Sequence, residues 1–171
     1  VKWNAKWRRV NYDMHNVLGF YMTWIAIFIA ITGLVWGFQW FAKSVYWISS
    51  GGKQPVDFYE PLSAKEKQST LDAPVIDLIW HKMNAEHKDA KLIEVHFPEN
   101  DSTAIGAASN PDPSTYWKSD YRYFDQYTMK EVEVKHMYGR FNNATVADKI
   151  QRMNYDIHVG AVLGLPGKIL A

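Results

Sequence analysis

The chain has 171 residues, with 19 Lys and Arg against 18 Asp and Glu, six His and no Cys. A net charge of +1 lacks the basic excess of a nucleic-acid-binding domain. The absence of Cys excludes disulfides, thiolate zinc sites, cysteine-ligated iron–sulfur clusters and covalently attached haem.

The first element is a membrane span. From Asn16 to Ala42 the 27 residues carry no charge, which is long enough to cross a bilayer in a helix with some tilt. Trp3, Trp7 and Tyr12 stand before one end, and Trp36, Trp40, Tyr46 and Trp47 at the other, as the aromatic belts of a span require. A secretory signal peptide has a shorter apolar run and a small-residue cleavage site, and a buried core helix seldom runs this far uncharged. Lys2, Lys6, Arg8 and Arg9, opposed only by Asp13, put the N-terminus in the cytoplasm by the positive-inside rule. Residues 1–48 thus form a basic segment and transmembrane helix, and everything after about Lys43 is expected outside the cytoplasm.

Residues 49–148 provide enough chain for one small extracytoplasmic domain. Ser49–Pro55 is a turn-rich linker. Thr70-Leu71-Asp72 and Pro74 mark a helix start, and Val75, Leu78, Ile79 and Met83 recur at helical spacing. Strand patterns follow over residues 91–98, 102–110 and 116–138, the last broken as a hairpin near Gln126–Lys130. One helix followed by three or four antiparallel strands gives a membrane-anchored α+β fold.

Residues 149–171 read as the start of a second, truncated transmembrane helix. Here the chain repeats itself. RVNYDMH (Arg9–His15) and RMNYDIH (Arg152–His158) share five of seven positions, and each precedes an apolar stretch containing Leu-Gly. The second copy leads into nine uncharged residues, Val159–Gly167, with Pro166 fit for a first helical turn. The chain begins at Val1 rather than Met and stops in this stretch, so a piece of a longer protein is expected. The repeat places a histidine at the mouth of a membrane helix twice, where an ionisable residue is a functional hypothesis by default. The competing reading is headgroup-level packing. Asp13 and His15 are two apart and do not share a helix face, so the Asn and Asp are expected to cap the helix starts.

These features resemble the N-terminal part of PepSY-associated transmembrane proteins. The resemblance rests on Arg9, His15 and Gly19 at the first helix, on Ile31-Thr32-Gly33-Leu34 late in it, and on Tyr123-Phe124-Asp125-Gln126-Tyr127-Thr128-Met129, where Met replaces the usual Gly. It continues through His158, Gly160 and Gly164-Leu165-Pro166-Gly167-Lys168, with Lys for Arg. It covers essentially the whole chain. It implies a bacterial inner-membrane protein, with some relatives reducing ferric siderophores and binding haem b through membrane histidines. On that reading His15 and His158 are the axial ligands to haem iron, and Arg9 and Arg152, with Arg8 and Lys168 nearby, are propionate contacts; lipid headgroups are the alternative partners of these cations. The two histidines lie at opposite membrane faces, so they cannot share a haem, and each takes a partner ligand beyond residue 171. The resemblance equally allows a PepSY module that binds a peptidase or envelope ligand without redox chemistry, or a structural subunit of an envelope complex. His81, His87, His96 and His136 read as surface histidines, the first three being a weaker zinc alternative and the last two lying on strands. The partners expected are the bilayer and an iron chelate or redox protein.

Overall fold

The computed structural model describes residues 3–64 and 73–171, with Leu170 by its backbone only. Helix α1 spans Trp7–Gly37 and α2 spans Gln39–Ser49. Thirty-one residues at about 1.5 Å each make α1 roughly 46 Å long, more than the hydrocarbon core of a bilayer. Only Val10 and Thr32 of α1 are buried, while Phe20, Trp24 and Phe28 stand exposed. A soluble core helix would hide such residues, whereas a lipid-facing one presents them. The two threonine hydroxyls of this helix bond to its own carbonyls, as Thr23 does to Gly19 at 2.7 Å, so neither needs a partner from outside the helix.

The uncharged run does not form one helix to its end. Phe38 turns extended (φ −133°, ψ 107°), directly after Gly37, and α2 starts anew at Gln39. Glycine is among the poorest helix formers, so the break falls where helix propensity is weakest.

The α+β unit follows the expected order. Helix α3 (Val75–Glu86) precedes strands β1 (Leu92–Val95), β2 (Ile105–Asn110), β3 (Asp120–Phe124) and β4 (Glu131–Val132). They form one antiparallel sheet in the order β1-β2-β3-β4. The expected cap at Thr70-Leu71-Asp72 lies outside the described residues. Ile79 and Met83, four apart, put α3 against Ile105, Ala107 and Phe124, and all five are essentially closed to solvent. Burying an aliphatic or aromatic side chain of this size stabilises by about 2 kcal/mol, so this small cluster is the main apolar anchor of the unit.

Arg122 shares that face, in register with Ala107, and is buried with ion pairs to Glu86 of α3 and Glu131 of β4. Burial alone would lower the Arg122 pKa, but the hydrogen bonds and charges of Glu131 and Glu86 outweigh it and raise the value. On the opposite face, Tyr123 lies across from Gly106, where a Cβ would meet its ring at ordinary contact distance.

The β3–β4 turn is organised by Asp125. Its carboxylate accepts from the amides of Tyr127 (2.9 Å), Thr128 (2.8 Å) and Ala64. Burial pushes the Asp125 pKa up, but these amides hold it below the usual carboxylate range. Met129 closes the turn in the left-handed region (φ 58°), which accounts for glycine as the residue expected there.

Helix α4 (Val146–His158) is capped by Thr145 and Asp148, each bonding the other's backbone amide. That Thr-x-x-Asp signal places the helix start well before the repeated heptapeptide. The second copy is therefore the last two turns of α4, and the first copy lies inside α1. Neither Asn nor Asp caps a helix start, and that expectation is overturned. After His158 the chain reverses. Gly160 adopts φ 68° and lies back-to-back with Gly167, with no space for a Cβ at either position. A 3₁₀ turn (Ala161–Leu163) and α5 (Gly164–Leu170) follow, with Pro166 in the first turn of α5. Among the described residues α1 is the one helix long and apolar enough to span a membrane.

Candidate functional site

The five residues common to both heptapeptides have different surroundings in the two copies. In the first, Arg9 is exposed and pairs with Asp13 at 3.0 Å, one helical turn on, while Tyr12 and His15 are exposed. Arg8 is also exposed. In the second, every common position meets another part of the chain.

Arg152, 6% exposed, donates from Nε and Nη2 to the Met137 carbonyl, from Nη1 to Ser119 (3.0 Å) and from Nη2 to Gly139 (2.8 Å). Asp156 is fully buried and accepts from the amides of Tyr116 (2.9 Å) and Trp117 (2.7 Å). These two residues fasten α4 to the α+β unit. Two others fasten it to the long helix. Asn154 Nδ2 donates to the Thr32 carbonyl at 3.1 Å, and His158 Nδ1 lies 3.0 Å from Thr32 Oγ1. Tyr155 packs edge-on to Trp36 of α1 and to Tyr116. Tyr46 of α2 adds a hydrogen bond to Asp148 at 2.9 Å.

His158 is half-buried and rests against Gly33, whose built Cβ would come 3.5 Å from its Cε1. The Thr32-Gly33 pair, read in the sequence as a separate motif, is thus its seat. His15 stands 17 residues earlier on α1, about 25 Å along the helix axis. Arg152 directs four hydrogen bonds at backbone carbonyls, so its role in the fold is structural anchoring. Lys168 is exposed in the last turn of α5.

The remaining histidines are dispersed. His81 and His96 are exposed, and His87 lies 4.0 Å from an Asp120 oxygen. Among the described residues no three His, Asp or Glu side chains gather as a metal site would need, so the zinc alternative finds no ligand cluster. His136 is on no strand, and it is buried rather than on the surface. The rings of Phe58 and Tyr59 lie 4.9 Å from its own, and Tyr123 lies 5.8 Å away. Burial lowers its pKa against the opposing pull of the Tyr59 backbone, and the Arg152 charge lowers it further. Burial pushes the neighbouring Tyr123 up to about 12, and its hydroxyl donates to the Tyr138 carbonyl.

Beside these aromatics lies a cavity of 410 Å³ whose wall includes Tyr121, Arg122, Glu131, His136, Arg140 and Arg152. A second, of 350 Å³, opens between α2, α4 and the segment Pro55–Phe58.

Sequence reasoning named Thr32 only as part of a motif and took Asn154 and Asp156 for helix caps, so it missed the partners of all three, and it missed the Tyr46–Asp148 contact. One signal was present: Asn154 and His158 are four apart and so share a helix face. Comparison with curated proteins gives no match. The family model of the PepSY-associated TM region matches residues 1–171, and with that match over its full length the chain belongs to this family of membrane-associated PepSY proteins.

Proposed function

We propose that the protein is a bacterial inner-membrane electron-transfer protein that holds haem b and delivers electrons to a ferric chelate, such as a siderophore complex, outside the cytoplasm. The observation that carries this reading is the seat of His158. A residue 126 positions from Thr32 is brought onto the face of the long apolar helix and bonded there through one ring nitrogen. The donor set fits the group, since a bis-histidine haem takes one imidazole from each of two residues and needs no local cluster. When bound, haem b supplies a one-electron iron couple.

The chain's own residues would hold and orient it. His15 and His158 each offer one imidazole, and their separation along α1 assigns them to different haems, each completed by a ligand on another helix. Asn154 and Thr32 fix the position of His158. Arg8 and Arg9, about two turns before His15, are the cations on this chain best placed for propionates, while Arg152 maintains the α4 attachment. The basic start of α1 supports a cytoplasmic N-terminus and an extracytoplasmic α+β unit. The two histidines would then stand near opposite faces, in the order that outward electron flow requires.

The test uses the full-length protein from haem-replete cells, reconstituted in vesicles, reduced, and mixed with a membrane-impermeant ferric chelate. Rapid loss of the reduced haem band, with one ferric ion reduced per electron, is expected. A protein with no haem band, or a reduced band indifferent to the chelate, would overturn the reading.

The 410 Å³ cavity favours a second reading, an envelope-ligand or peptidase-binding PepSY module without redox chemistry. Specific binding of such a ligand by haem-free protein would distinguish it.

A further inference from the structure

We propose that Thr32 is a positioning residue that fixes the tautomer of His158, so that Nδ1 carries the proton and Nε2 presents its lone pair. The redox consequence rests on the haem reading above; the tautomer assignment does not.

The direction of the His158–Thr32 bond follows from counting its donors. Thr32 Oγ1 lies 3.0 Å from the Phe28 carbonyl oxygen, 2.9 Å from that of Ile29 and 3.0 Å from His158 Nδ1. A hydroxyl has one proton, and carbonyl oxygens can only accept. The Thr32 proton is therefore directed at the two carbonyls, and the hydroxyl oxygen faces the histidine with a lone pair. The bond closes only if Nδ1 donates. The reverse assignment, Thr32 donating to Nδ1, would set hydroxyl lone pairs against two carbonyl oxygens at about the same distance. Neutral imidazole has a single N–H, so Nε2 is left as an acceptor or metal ligand.

Thr32 is well held for this role. It is 7% exposed, and its own carbonyl accepts from Asn154, one turn before His158 on the same face of α4. Two side chains of α4 thus meet one residue of α1. Gly33 contributes clearance rather than chemistry: its built Cβ meets His158 at ordinary contact distance, so G33A leaves the bond in place.

An acceptor on the N–H of a ligating imidazole makes the ring more basic and fixes its orientation. A more basic ligand favours the ferric state. Removing the acceptor should therefore raise the reduction potential of the haem on His158 and leave any haem on His15 unmoved.

The test compares wild type, T32V and T32S, the first variant nearly isosteric without a hydroxyl and the second restoring it. Two readouts are taken on the full-length protein in detergent: the ¹⁵N shifts of the His158 ring in haem-free material, and a potentiometric titration of haem-loaded material. Wild type and T32S should show Nδ1 protonated, T32V a mixture of tautomers, and only T32V a raised potential for one haem. Thermal melts check that T32V folds, and G33A, which keeps the hydroxyl, serves as the control for altered packing. An unprotonated Nδ1 in wild type, or a T32V tautomer identical to wild type, would overturn the assignment whether or not haem is present. A tautomer that shifts in T32V without any movement in potential would leave the assignment standing and overturn the redox role.

Discussion

Met129 shows how a single residue can depart from its family pattern and remain tolerable. A non-glycine residue in the left-handed region costs about 1 kcal/mol or more. Met129 also packs against the Ile79–Phe124 core, which offsets that cost. The two effects can be separated. M129G relieves the backbone and loses the packing, so its stability should change by less than about 1 kcal/mol. M129A keeps the backbone cost and loses most of the packing, so it should be less stable by about 2 kcal/mol. Denaturant melts would rank the two variants, and M129G below M129A would refute this account. The position was legible in the sequence as a turn, because the Asp-x-x-Thr spacing announces one. The buried ends of Arg152 and Asp156 were not, because a charge on an amphipathic helix reads as solvated until its carbonyl or amide partners, contributed by loops far along the chain, are in place.

At the scale of elements, α4 makes the decisive connection. The sheet, its order and the α3 face were legible because alternation and helical spacing are local signals. The heptapeptide was visible as a repeat, but its roles were not, since identical residues serve an exposed helix turn in one copy and a three-way junction in the other. Helix α4 reaches α2 through Asp148, the α+β unit through Arg152 and Asp156, and α1 through Asn154 and His158. Removing one anchor should loosen the others. D156A strands two amides from water and from any acceptor, a loss of about 3 kcal/mol. It should also expose the α1–α4 seam to hydrogen exchange at His158, a response D13A in the first copy should not share. Exchange measured by mass spectrometry on both variants checks this; equal protection of α4 in D156A and wild type would show that the junction does not act as a unit.

For the whole molecule, titration should reveal how the α+β unit is held together. His136 has its pKa lowered by burial, so the unfolded chain takes up a proton first as pH falls through about 6.5, and stability declines from there. Asp125 and Glu131, both held below the usual carboxylate range, contribute stability that is present above about pH 4 and lost as pH falls through their folded values. Two steps of acid loss are therefore expected in thermal melts between pH 8 and pH 3, and H136Q should remove the upper step alone. A single step, or an upper step that persists in H136Q, would place the first loss elsewhere. Helix α4 joins this unit to the membrane helix through Asn154, Tyr155 and His158, and the claim that the seat of His158 on Thr32 and Gly33 presents a haem ligand is tested most directly by a reduced-minus-oxidised absorption spectrum. The measurement is made on the detergent-purified full-length protein beside H15A and H158A. A b-type spectrum that each substitution diminishes by its own share is expected, the H158A loss leaving the His15 haem in place. No haem signal, or a signal that both substitutions leave unchanged, would contradict it and return both histidines to interfacial packing.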